Sequence, residues 1–175
     1  MTPELGVAGE PAPWLSPEAI ALARLLPSSH QQAFGMPLLA GLAADASPRL
    51  VAQELFAAEV VVLAHDGADP AGDPGPRLIY ANRAALRLWQ RPWAAMVGMP
   101  SRLTAEPAEQ ASRSQALVAA QAQQALSGYS GIRIDSQGRR FQIDGARLWT
   151  LHDASGQPCG QAACFSRWWQ LAGGT

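Results

Sequence analysis

The sequence predicts an α+β domain: a five-stranded antiparallel sheet, helices on one face, and an N-terminal helical extension. Three observations predict it. Gly128 to Trp169 holds three runs of alternating apolar and polar residues joined by two tight turns. Two short strand-like runs, VVVLA within Glu59–His65 and LIYA within Arg77–Ala81, come earlier. The segments before and between these runs carry helical spacing and helix-start residues.

Residues 1–15 are rich in Pro and Gly and are expected to be loose. Ser16-Pro17-Glu18 opens a helix with a serine N-cap, a proline at the first position and an acid in the first turn. Ile20, Leu22, Leu25 and Leu26 give its apolar stripe, and Pro27 is expected to end it. Ser28 to Ala44 reads as a second helical or irregular segment broken near Gly35 and Pro37. Ser47-Pro48 starts another helix through Ala58. The β-branched run before His65 suits a strand buried on both faces. Asp66 to Pro76, DGADPAGDPGP, is a loop. Its three aspartates lack the spacing and closing glutamate of a calcium loop.

After the strand at Arg77–Ala81, Asn82 is placed to N-cap a helix ending at Trp89 or Gln90. A short helix follows from Pro92 to Val97 and stops at Gly98. Pro100 to Pro107 is a compact polar connection. The next helix runs from Pro107 to about Leu126, with a thin stripe of Ala111, Val118, Ala122 and Ala125, Leu117 alongside, and Gly128 as its stop. Tyr129–Asp135 then alternates Ile132 and Ile134 with Gly131, Arg133 and Asp135. Ser136-Gln137-Gly138 turns the chain into Arg139–Leu151, where Phe141 and Ile143 share a face and Gly145 signals a bulge. After the turn at His152–Gly156, Gln161–Trp169 is the last strand.

Composition narrows the function. The 175 residues are 48% hydrophobic and 15% charged, which argues for a folded core. Net charge is −1, lysine is absent and the arginines are scattered, so nucleic acid is not an expected partner. No apolar run is long enough to span a membrane and no secretory leader is recognisable, so a cytoplasmic location is expected. Cys159 and Cys164 have strand spacing that points them apart, which disfavours a disulfide or shared metal.

The residues LIYANRAALRLW (78–89), PSRLTAEP (100–107), YSGIRIDSQGRRFQIDGARLWTL (129–151) and GQAACFSRW (160–168) carry a family resemblance. Their order resembles the PAS fold, and more closely the PAS-related MEKHLA domain of stand-alone bacterial proteins and plant class III homeodomain–leucine zipper proteins. The resemblance covers about residues 28–169, leaving 1–27 as a loose N-terminus with the first helix and 170–175 as a tail. Two departures stand out: the Met-Glu-Lys-His-Leu-Ala string is absent, and AGDPG before Arg77 looks inserted. Nothing resembles a homeodomain or zipper. The resemblance implies PAS-type behaviour: sensing a ligand or partner through the helix-covered sheet face, often in a dimer.

No catalytic motif emerges. His152-Asp153 is a turn pair without a nucleophile, and Gly-rich phosphate loops, HExxH and paired CxxC are missing. A photoadduct flavin site would need a cysteine in the helical region, and both cysteines lie in the final hairpin. Haem would need an axial ligand, and the helix from Pro107 has no histidine. Unmodified flavin or another small organic ligand stays open. The candidate ligand residues are Arg102, Glu106, Tyr129, Phe141, Trp149 and Asn82. Arg102 suits a carboxylate clamp, the alternative being an ion pair with Glu106 or a helix cap. Trp149, Tyr129 and Phe141 fill core or line a pocket. Asn82 is chiefly a cap. Trp168 and Trp169 face opposite ways, so one is expected to be exposed as an interface candidate for a homodimer or partner protein. The expected pocket lies between the sheet and the helix from Pro107.

Overall fold

A computed structural model of the protein describes residues 11–173. Residues 1–10 of the segment expected to be loose, and 174–175 of the tail, lie outside the described residues. The elements in chain order are α1 (Pro17–Phe34), α2 (Pro48–Ala57), β1 (Val61–His65), β2 (Leu78–Ala81), α3 (Arg83–Trp89), α4 (Trp93–Met96), α5 (Pro107–Gln123), β3 (Ala125–Ile134), β4 (Arg140–His152), β5 (Pro158–Phe165) and β6 (Arg167–Gln170). All strand pairs are antiparallel, in the order β2-β1-β5-β4-β3, with β6 also on β4.

The α+β class and the antiparallel sheet agree with the sequence, and the sixth strand comes from a break in the fifth. The break at Ser166 lies beside Gly145 of β4, which adopts φ +66°. Pairing keeps one register on both sides, Arg147 opposite Cys164 and Asp144 opposite Arg167. Both strands therefore reverse their facing together. Before Gly145, Phe141 and Ile143 share a cluster with Phe165; after it, Trp149 and Leu151 join the opposite cluster with Cys164. Trp168, opposite Ile143, meets Phe141 edge-on at 6.1 Å.

Helices cover both faces of the sheet. α3 and α4 pack on Val61, Leu78 and Phe141, and α5 sets Leu117 and Ala120 on Leu148. On the other face, Ala23 and Leu26 of α1 and Leu55 of α2 meet Val62, Tyr80, Trp149 and Leu151. The N-terminal extension is thus a second layer of the core, and its apolar stripe is spent within the chain.

The Ser-Pro starts behave as expected, with Ser16 Oγ accepting from Ala19 N at 3.1 Å and Ser47 Oγ from Leu50 N at 3.2 Å. Pro27 does not end α1. The helix continues to a left-handed cap at Gly35, while Ser28 Oγ donates to the Arg24 and Leu25 carbonyls on the exposed side. Burial of Leu26 and His30 on either side of the proline outweighs its lost N–H. The described end of the segment expected to be loose is anchored at Trp14, which stacks on Phe56 at 3.9 Å. α5 stops at Gln124, φ 62°, ahead of Gly128, because Ala125 already pairs with Trp149 in the sheet.

Candidate functional site

The site begins with parity on β3. Tyr129, Gly131 and Arg133 point to the α5 side, while Ile132 and Ile134 stay half-buried on the other. The alternation is as the sequence reads, but the polar set faces inward. Tyr129 and Arg133 fold toward each other across Gly131. Arg133 Nη2 donates to Tyr129 Oη at 3.0 Å and its Nη1 to the Ile132 carbonyl at 2.8 Å. A Cβ on residue 131 would lie 2.7 Å from the Tyr129 oxygen and 2.9 Å from Arg133 Nη1. Only glycine leaves room for this pair. The Tyr129 oxygen accepts, so its own proton remains to be donated.

α5 presents Arg113, Leu117 and Ala120 inward, an i, i+4, i+7 stripe. The expected stripe differs: Val118 is exposed and Arg113 lies on the buried line. Between this stripe and the sheet is a cavity of about 50 Å³. Leu63, Leu148, Ala163 and Phe165 form its sheet wall, and Trp89 and Thr104 close one side. That volume holds a few waters or one end of a small molecule. A ligand of ordinary drug size requires α5 to move outward.

Polar groups lie at both ends. His65 Nδ1 accepts from Gly67 N at 3.0 Å, which leaves the proton on Nε2 to be donated to Gln161 Oε1 at 2.9 Å. Gln161 Nε2 donates to the Leu117 carbonyl at 3.2 Å, tying the sheet to α5. Burial, reinforced by the Arg113 charge, pushes the His65 imidazole down to about 4, so it is neutral at pH 7.

The other end holds Arg113 and Arg133, 8% and 6% exposed. Burial lowers Arg113 to about 9, and the Arg133 charge adds to this. It remains a cation at neutral pH. The ion pairs among the described residues are Arg139–Asp135, Arg140–Glu106 and Arg167–Asp144, and none involves either cavity arginine. No acidic residue among those described lines the cavity.

Of the sequence candidates, Tyr129 alone lines this cavity. Phe141 sits in the neighbouring core, edge-on to Trp89 at 5.1 Å. Trp149 lies on the opposite face against His30 and Phe34 of α1. Arg102 is drawn to the loop before β2, where it donates to the Pro74 carbonyl. It does not pair with Glu106, which meets Arg140 at 2.7 Å. Asn82 caps α3 through Ala85 N at 3.1 Å while bonding Val62 N at 3.0 Å and the Val60 carbonyl at 2.7 Å. Trp168 and Trp169 are both exposed, where only one was expected. His152 ends β4 opposite Pro158 and so lies in the strand and not the turn, while Asp153 is a turn residue whose Oδ1 accepts from Ser155 and Gln157.

Arg113, Arg133, Gln161 and His65 were missed as site residues. Arg113 was readable in principle: extending the Leu117–Ala120 line back one turn reaches it. No cysteine lines the cavity, and no group of three or more potential metal ligands occurs among the described residues. No described helix is long and apolar enough to cross a membrane.

A sequence model of the MEKHLA domain matches residues 20–170. No curated protein matches the chain. Among solved structures, an RNA-binding light-oxygen-voltage receptor superposes with a TM-score of 0.57 at 20% identity, over 78% of this chain and 36% of the receptor. The chain thus spans about a third of that receptor's length. The PAS domain of a protein from Colwellia psychrerythraea superposes with a TM-score of 0.57 at 12% identity, over 70% of this chain and 95% of that one. A light-oxygen-voltage domain studied with a flavin analogue gives 0.52 at 13% identity, covering 73% and 87%. At these identities the likeness shows the fold, which is PAS-like.

Proposed function

The chain belongs to the MEKHLA domain family, and from that premise we propose that it is a non-catalytic sensory domain that admits a small organic ligand between α5 and the sheet. The observation that carries this reading is the cavity itself. An apolar chamber with buried, fixed polar groups at its ends is the usual form of a small-molecule site. α5 is tied to the sheet there through Gln161 and the Leu117 carbonyl, so a ligand that shifts α5 alters that bond. The signal then passes to another protein in the cytoplasm, or to a second copy of the chain. Nucleic acid is not part of this reading.

Native mass spectrometry of freshly purified protein, with an absorption spectrum of the same sample, tests it. A co-purifying molecule of defined mass is expected, released by Ala163→Leu, which fills the cavity. Protein that binds no small molecule, and that gains stability from Ala163→Leu as an ordinary core would, overturns it.

One observation favours a second reading, a protein-interaction module. Trp168 and Trp169 are 41% and 48% exposed on the short strand β6. Light scattering of the wild type and of Trp169→Ser separates the readings: concentration-dependent dimers lost in the variant support it.

A further inference from the structure

We propose that the ligand is an organic acid, its carboxylate held between Arg113 and Arg133 and its apolar body lying along Leu117, Leu148 and Phe165. This rests on the sensory-pocket reading above and names the chemistry of the same site.

The argument starts from charge. A buried cation is retained in a fold when something compensates it, by pairing or by coordination. Arg133 has the Ile132 carbonyl and the Tyr129 hydroxyl, both neutral acceptors. Arg113, 92% buried, has no hydrogen bond or ion pair among the described residues, yet it lines the cavity. Glu109 precedes it by one helical turn, the position from which an acid commonly pairs, and makes no ion pair with it. Asp135, on the Arg133 side of β3, is taken by Arg139 at 3.0 Å. Two like charges therefore face one cavity that no described carboxylate lines, and an anion entering it is the missing partner.

The type of anion follows from what else lines the space. Phosphate sites recruit backbone N–H groups at helix starts or in turns. The residues here come from mid-helix in α5, from the end of α3, from the short turn ending at Thr104 and from the strands. They supply side-chain donors at the arginine end, the bonded His65–Gln161 pair at the other, and hydrocarbon for most of the rest. Guanidinium forks with one hydroxyl donor suit a carboxylate, and the surrounding leucines suit a short aliphatic or aromatic body. At the far end the His65 nitrogens are both occupied, which leaves the arginine end to set orientation.

The test titrates the full chain calorimetrically at low ionic strength with hexanoate and benzoate, against hexanamide, benzamide and inorganic phosphate. The acids are expected to bind at least ten-fold more tightly than their amides, and phosphate alone more weakly than either acid. Arg113→Met should abolish that preference and raise the Tm of the unliganded protein, because it removes an uncompensated buried charge. A structural arginine would instead lower the Tm. Gly131→Ala, which displaces Tyr129 and Arg133 at their flexible ends, should weaken acid binding while the protein stays folded. Amides binding as well as acids, with Ala163→Leu blocking both, would overturn the anion assignment and leave the pocket standing. Phosphate alone matching the acids would overturn the organic class. Neither acids nor amides binding, together with stabilisation by Ala163→Leu, would overturn the pocket and this proposal with it.

Discussion

His65 and Gln161 stand opposite each other on β1 and β5, and their side chains close the gap with a 2.9 Å hydrogen bond inside the cavity wall. The bond requires a neutral imidazole with its proton on Nε2, because Nδ1 is already accepting from Gly67.

A pH dependence follows. Burial, helped by the Arg113 charge, lowers the folded His65 to about 4 from an unfolded value of 6.5. Between those values the unfolded chain takes up a proton that the native state refuses. Stability is therefore full above pH 6.5 and is lost as pH falls toward 4, by up to about 3 kcal/mol. Urea midpoints measured from pH 7 to pH 4 should drop across this window. His65→Gln should flatten that part of the curve; an unchanged slope in the variant would assign the loss to other groups, among them His30, which burial also lowers.

Asn82 carries a different kind of burden. It is fully buried, accepts from Ala85 N and Val62 N, and donates to the Val60 carbonyl. Asn82→Ala strands both amides and should cost about 3 kcal/mol. Aspartate is an equally good helix cap in isolation. Here Asn82→Asp would set a buried carboxylate against the Val60 oxygen, so it should cost at least as much as alanine. Urea denaturation of the two variants decides; rescue by aspartate would reduce Asn82 to a simple cap.

Two glycines of β4 and β5 should separate backbone strain from steric exclusion. Gly145 adopts φ +66° with open space where a Cβ would go. Gly145→Ala should cost about 1 kcal/mol, the price of a left-handed alanine. Gly160 is ordinary in φ, but a Cβ there would lie 2.6 Å from the His65 carbonyl oxygen, in the backbone of a paired strand. Gly160→Ala should cost about 3 kcal/mol, as overpacking does. Equal Tm losses for the two would show that β1 yields.

Much of this was legible in the sequence where the cause is local. Ser16-Pro17, Ser47-Pro48 and Asn82 cap helices with their own side chains, and the β3–β4 turn is set by Asp135 and Gly138 within five residues. The fold class followed from those elements and their order. What failed needed tertiary information. Pro27 is overridden by the burial of residues on either side of it. Ile132 and Arg133 alternate as read, yet only the position of α5 decides which of them is inside. Arg113 on a glutamine-rich helix has the look of a solvated residue, and its burial depends on β3 passing beneath it. The site stayed hidden because its charges have no ion pair among the described residues, a property no local pattern encodes.

The reversal at Gly145 makes the sharpest prediction, because it gives neighbouring residues opposite roles. Leu148 lines the cavity, and Trp149 points away to His30 at 4.9 Å and Phe34 at 6.1 Å on α1. The indole nitrogen of Trp149 is buried without a partner. Trp149→Phe deletes that unsatisfied donor but leaves a smaller ring against α1. The net cost should be about 1 kcal/mol, well below the 3–5 kcal/mol typical of truncating a buried tryptophan to alanine. Because the change lies on the far face, hexanoate affinity should be unchanged, while proteolytic cleavage within α1 should become faster. Leu148→Phe adds ring atoms to a space of about 50 Å³ and should abolish hexanoate binding with α1 as protected as in the wild type. If Trp149→Phe lost the ligand and Leu148→Phe kept it, the facing of β4 beyond Gly145 would be the reverse of that described, and the ligand would sit under α1.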